Sequence, residues 1–301
     1  MKNKTKKIIF LPVMILFVAG FWLIFVKIDI GKKVVIQEKS NYFFNISVDY
    51  NWQIFTGAIG TYPKSTNSSI GEIKGIIVPH HDLAGKYVAE IMQKIADDKI
   101  ERVIIVGPNH AESGVNDIVS GIIQWQTPQG EIKADIKTIK FLQEKGLVYL
   151  AEEKFKTEHS INAMVPYIHY YFPNAKIVPI ILKHGTSLTE TEKLAIDLKD
   201  LMNEKTLIIG SIDFSHYLPT AEAYDKDKIT AEALKNSDYE KLYSFDNDYL
   251  DSPPTAVTVL KVMDLLKASN LTIVRNTNQA DAVGLPTIKS STSYFTILLG
   301  G

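Results

Sequence analysis

Beyond Gly71 the chain repeats one pattern, a short β-branched run followed by a longer amphipathic one, and few folds accommodate that order. The runs at 73–78, 102–106, 117–123, 176–182, 206–211, 271–275 and 294–299 are rich in Val, Ile, Thr and aromatic residues at strand length. Between them, 84–96, 134–145, 161–171, 188–203, 221–236, 237–244 and 255–268 carry helical periodicity. Strands separated by helices of this length predict an α/β fold, a single layered domain with a largely parallel central sheet and helices on both faces. The last two runs have no helix between them and are expected to pair antiparallel.

Chemistry is narrowed by what the chain lacks. Its 301 residues contain no cysteine, which removes disulfides, thiolate metal sites and a cysteine nucleophile and leaves histidine, carboxylates and hydroxyls. A net charge of −1, with both signs interleaved, gives no basic footprint, so no nucleic-acid partner is expected. Neither a Walker pattern nor a Gly-x-Gly-x-x-Gly follows the first strand, and no Gly-x-Ser-x-Gly elbow accompanies Ser211 or Ser215.

Residues 8–26 form an uncharged apolar run preceded by Lys2, Lys4, Lys6 and Lys7. As a helix it would be about 28 Å long, close to the hydrocarbon thickness of a bilayer. The run is longer than a usual signal-peptide core and no Ala-x-Ala site follows, so a retained transmembrane anchor is favoured over a cleaved signal sequence. The positive-inside rule then predicts a single-pass membrane protein with its domain extracytoplasmic. The expected division is an anchor at 1–30, a juxtamembrane connector at 31–71 with a strand or helix packed on the domain, and an α/β domain at 72–301.

Ligands of open α/β sheets bind beyond the carboxyl ends of the strands. His80, His110 and Asp213 each fall just past such an end, and His159 opens a helix. Imidazoles gathered at one sheet edge are a common divalent-metal site, so a pocket there is the expectation.

Taken in order, Val78-Pro79-His80, Gly107-Pro108-Asn109-His110, Glu158-His159-Ser160-Ile161, Asp213-Phe214-Ser215-His216-Tyr217 and Asp251-Ser252-Pro253-Pro254 resemble the MEMO family, whose prokaryotic members are the AmmeMemoRadiSam system protein B. The resemblance runs from about Ile73 to Gly301. That family is itself similar to the class III extradiol dioxygenases, non-haem iron enzymes with a two-histidine, one-carboxylate site. The resemblance implies that His80 and His110 are imidazole ligands and that Asp251 stands where animal relatives place a cysteine. A carboxylate there suits Fe(II) first, with Zn(II), Mn(II) or Cu as other occupants. The alternative for Asp251 is an N-cap on the helix through Pro253 and Pro254.

His216, with Asp213 beside it, is expected to act as a general base or to orient a ligand from behind, and His159 as a polar wall residue, a second acid/base group or a helix cap. His81 and Asp82-Leu83 depart from the family pattern, and the family's Ala-Gly-Ser-Trp-Tyr segment has no counterpart before Ile73; Trp52 stands in a different context. His169 and His184 are expected to be surface or packing residues. Two functions follow. One is a metal-dependent, dioxygenase-like oxidoreductase acting on a small-molecule or peptide ligand. The other is a non-catalytic peptide- or protein-binding scaffold in a modification system with radical-SAM and AMMECR-type partners.

Overall fold

The computed structural model describes residues 12–13, 24–25, 43–48, 50–65 and 71–301. The chain divides into two units, Met1–Asn41 and Tyr42–Gly301. In the first, β1 (Pro12–Val13) pairs antiparallel with β2 (Ile24–Phe25), Pro12 opposite Phe25 and Val13 opposite Ile24. This overturns the expected membrane helix over 8–26. A segment that doubles back within the run cannot cross a bilayer as one continuous helix, and no helix among the described residues is long and apolar enough to do so. The single-pass topology and extracytoplasmic placement fall with it. The rest of that run lies outside the described residues.

The second unit begins with β3 (Phe44–Ser47) and α1 (Trp52–Thr61), both within the stretch read as a connector. There follow β4 (Ile73–Val78), α2 (Gly85–Ile95), β5 (Arg102–Pro108), β6 (Ile118–Ser120), β7 (Ile123–Thr127), β8 (Gly130–Lys133), α3 (Ile136–Glu144) and β9 (Tyr149–Leu150). Then come α4 (His159–Asn162), α5 (Val165–Tyr171), β10 (Lys176–Leu182), α6 (Leu188–Leu201), β11 (Thr206–Ser211), α7 (Thr220–Lys235) and α8 (Tyr239–Tyr243). The chain closes with α9 (Pro253–Leu266), β12 (Asn270–Asn278), α10 (Gln279–Val283) and β13 (Ser293–Gly300).

Eight strands form the main sheet in the order β12-β13-β4-β11-β5-β10-β6-β9. Its middle, β4-β11-β5-β10, is parallel, whereas β12-β13, β13-β4 and β10-β6 are antiparallel. The sheet is therefore mixed rather than largely parallel. The closing pair is antiparallel as expected, because a short α10 rather than a crossover helix joins it.

Strands β5, β10 and β11 are buried along nearly their whole length, the state that continuous apolar runs specify when both faces are covered. One cover is α9, packed on β4, β11 and β5 with α6 behind it. On the other face, α4 lies against β5, and α1 packs on α2, which meets α5.

Two expected elements are broken. The run 117–123 splits at Gly121: Ile118–Ser120 stays in the main sheet while Ile123–Thr127 joins β3 and β8 in a second one. A Cβ at Gly121 would come within 3.2 Å of Glu152 Cγ and 3.3 Å of its Cα, so a side chain there would crowd the corner. The helix expected over 161–171 breaks into α4 and α5, with Pro166 in the first turn of α5 supplying a position that needs no N–H.

Candidate metal centre

His80, His110 and Asp213 each lie two residues beyond the last residue of β4, β5 and β11. Because β11 sits between β4 and β5, the three loops leave the sheet side by side, about 4.8 Å from strand to strand. Asp251 is brought in from the segment before α9: its N–H donates to the Asp213 carbonyl at 3.1 Å, and its Oδ2 accepts the Asp213 N–H at 3.2 Å.

The ring proton of His80 is assigned by its neighbours. Ser211 Oγ donates to the Ser160 carbonyl at 2.6 Å, so its lone pairs face His80 Nδ1 at 3.2 Å and accept the Nδ1–H. In the neutral ring, Nε2 is then the unprotonated atom. It is buried without a hydrogen-bond partner, 3.2 Å from Asp251 Oδ2 and 3.8 Å from Asp213 Oδ2. Burial by itself would lower the His80 pKa; the carboxylates of Asp213, Asp251 and Glu158 outweigh it and raise the value to about 9.

His110 is fixed by a different carboxylate. Glu158 Oε1 lies 2.7 Å from its Nδ1 and Oε2 accepts its backbone N–H at 2.9 Å, leaving Nε2 3.8 Å from Asp251 Oδ2. Glu158 also caps α4 through the Ser160 N–H. Burial opposes ionisation of Glu158, but the bonds and charge from His110 and the bonds from Ser160 hold its pKa below the ordinary value. A carboxylate behind a histidine in this way sets the tautomer and strengthens the outward nitrogen as a ligand.

The ring of His159 stacks on that of His110 with centroids 3.9 Å apart, and both lie about 5 Å from the His80 ring. Its pKa is lowered to about 4, first by burial and then by the positive fields of His80 and His110, so at neutral pH it is an uncharged base. Donor atoms of His80, His110 and His159 lie within 4.8 Å of one another, as do those of His80, Asp213 and Asp251.

α4 reaches this position only because β5 contains Gly107. A Cβ there would sit 2.7 Å from Ser160 Oγ and 2.9 Å from its Cβ.

The residues outside the ligand cluster fall differently from the sequence reading. Ser252, not Asp251, caps α9, accepting the Thr255 N–H at 3.3 Å, which leaves the Asp251 carboxylate turned toward the histidines with Oδ1 unpartnered. The Asp213 carboxylate accepts the N–H groups of His80 and His81, at 3.0 and 3.4 Å, rather than the ring of His216. Burial raises and the charges of His80, His216 and His81 lower its pKa, which ends below the ordinary value.

His216 instead lines a cavity of about 440 Å³ together with His110, His184 and Asp251. His184 was expected to be a surface or packing residue. Its backbone N–H, bonded to Glu112 at 2.7 Å, ties it to the loop that carries His110. No local signal in the sequence marks it. His81 caps the short turn at Asp82–Ala84, and His169 bonds Thr127 away from the centre.

A family model described as "Memo-like protein" matches residues 53–297, beginning within α1 and upstream of the stretch that the motifs alone delineate. A MEMO1 family protein of Caldivirga maquilingensis is 30% identical over 198 residues, covering 62% of this chain and 70% of its own length. Another, from Aquifex aeolicus, is 30% identical over 226 residues, covering 70% and 80%. A third, from Methanothermobacter thermautotrophicus, is 29% identical over 239 residues, covering 75% and 84%. Among solved structures, an uncharacterized protein from Escherichia coli K12 covers 76% of this chain and 100% of its own at 11% identity and a TM-score of 0.48.

Proposed function

The chain belongs to the Memo-like protein family, and from that premise we propose that His80, His110 and Asp251 form a divalent-metal centre at which a bound organic substrate is oxidised. The supporting observation is His80 Nε2. This atom is buried, has no hydrogen-bond partner and faces a carboxylate oxygen at 3.2 Å, and because Ser211 accepts from Nδ1 it is the nitrogen at which an ion would displace a proton. Donor separations of 3.2 and 3.8 Å from Asp251 Oδ2 to the two imidazoles are the size that one first-row ion with bonds of about 2.1 Å can bridge. The carboxylate field that holds a proton on His80 favours a cation in the proton's place.

Two imidazoles and one carboxylate suit Fe(II), and the same donors accept Mn(II) or Zn(II). A chain with no cysteine offers none of the thiolate that favours Cu(I). When bound, the ion supplies Lewis-acid activation and, as Fe(II), electrons for O₂. The chain's own residues do the rest. Glu158 and Ser211 hold the two imidazoles in the tautomers that offer Nε2. His159, uncharged at neutral pH, accepts a proton beside His110. On the cavity wall, His216 faces whatever is bound there and passes protons to it or from it.

Elemental analysis of protein purified after supplementation with Fe(II), Mn(II) or Zn(II) tests the reading. Wild type is expected to carry close to one ion per chain, and His80→Ala and His110→Ala, with unchanged circular dichroism, to carry almost none. Equal and negligible metal in all three proteins rules the centre out.

A further inference from the structure

The cavity that opens onto the centre carries an uneven charge. Glu112, Asp246, Asp248 and Asp251 line it, and no lysine or arginine is among the described residues that do. The carboxylates are only partly occupied within the protein: Glu112 accepts the His184 N–H, Asp246 accepts the Asp248 N–H at 3.0 Å, and Lys226 approaches Asp248 at 3.5 Å. Lys226 itself is turned onto the Tyr249 ring, its Nζ 4.4 Å from the centroid. After a divalent ion and Lys226 are counted, the lining still holds excess negative charge.

The wall nearest the centre holds an acceptor without a partner. The Asp251 side chain is 7% exposed, and its Oδ1 is buried with no partner. At the rim, Tyr217 leaves 75% of its surface exposed and adopts a left-handed backbone with φ of 59°. A bulky residue adopts that conformation only at a cost, so the surrounding loop must hold it there. The His216 N–H bonded to the Asn247 carbonyl at 2.9 Å and the Ser291 N–H bonded to the Leu218 carbonyl pin the loop on both sides of Tyr217. An exposed aromatic face beside carboxylates is a seat for a cation.

Building on the metal-centre reading, we propose that the cavity takes a ligand with a metal-binding oxygen at one end and an alkylammonium or similarly compact cation at the other, held by Glu112, Asp246, Asp248 and the face of Tyr217. An anionic tail, a phosphate or a carboxylate, would meet these carboxylates with no basic partner among the lining residues.

Two matched probes of one length test this on protein loaded with Zn(II): 6-aminohexanohydroxamate and adipic monohydroxamate, which share the chelating head and differ in tail charge. Calorimetry is expected to give about tenfold tighter binding of the aminated probe. The preference should shrink severalfold in E112Q and in D248N, with metal content unchanged, and in Y217L. Equal affinities, or tighter binding of the anionic probe, overturn the proposal.

The metal-free protein separates this inference from the centre itself. By NMR, hexylammonium at millimolar concentration is expected to perturb signals around the cavity and hexanoate not to. If no ion binds but hexylammonium does, the metal reading fails and the cationic pocket stands. If ions bind but hexanoate perturbs the cavity as much as hexylammonium, or neither does, the cationic pocket fails and the metal reading stands.

Discussion

At His80 one hydroxyl decides which ring nitrogen is free. Ser211 gives its own proton to the Ser160 carbonyl and so can only accept from Nδ1. Ser211→Ala is expected to release the ring to either tautomer and weaken metal binding about tenfold, with His80 still in place, as measured by competition with a chromogenic chelator. Protonation supplies a second test. The His80 pKa stands at about 9, above its ordinary 6.5, so in the metal-free protein this group adds stability that is fully present below pH 6.5 and is lost as pH rises through 9. Thermal melts of the metal-free protein should therefore fall across that interval, while metal affinity rises over it because uptake displaces the proton. A His80→Gln variant whose melting point declines equally from pH 6.5 to 9 would remove His80 as the cause.

Elements carry the residues to their places, and two of them are set by a single position. Gly107 lets α4 approach β5, and the Ser160 hydroxyl then donates to the Pro108 carbonyl at 3.0 Å. Gly107→Ala is expected to push α4 outward, destabilise the domain by about 1 to 3 kcal/mol by denaturant titration, and lower metal affinity through Glu158 and His159. Ser252 caps α9, so Ser252→Ala should cost about 1 kcal/mol of stability while metal content stays at the wild-type level. Loss of the ion in that variant would mean the cap and Asp251 are not separable. The strands β4, β10 and β11 were readable to the residue because apolar runs bounded by turn residues leave few alternatives. The breaks at Gly121 and before Pro166 were not readable to that degree, since one glycine or proline inside an apolar run signals a bend without saying where the chain goes next.

For the molecule as a whole, the site is a product of strand order. His80 and His110 come from β4 and β5, which touch only through β11 between them. Any ligand that spans these loops binds the folded state alone, and so stabilises it by mass action. At a free ion concentration a hundred times the dissociation constant, that is about 2.7 kcal/mol, and differential scanning calorimetry should show the melting point rise by about 5 to 10 °C. A melting point unmoved by saturating ion, in protein that elemental analysis shows to be loaded, would place the ion on a surface that survives unfolding.

Much of this was present in the order of the amino acids. Alternating β-branched and amphipathic runs determined the α/β class, and the residues beyond the runs determined which donors are on offer, His80, His110, His159, Asp213 and Asp251. Those are local properties, set by backbone preference and by which face of a segment is apolar. Only the tertiary structure decided that Glu158 stands behind His110, that Asp213 holds the backbone of His80 rather than the ring of His216, that Ser252 rather than Asp251 caps α9, and that His184 joins the wall. It also decided that residues within the apolar run 8–26 pair with each other. Such choices depend on partners far apart in the chain, whose meeting is settled by the summed packing of the whole domain and leaves no periodic trace in the segments themselves.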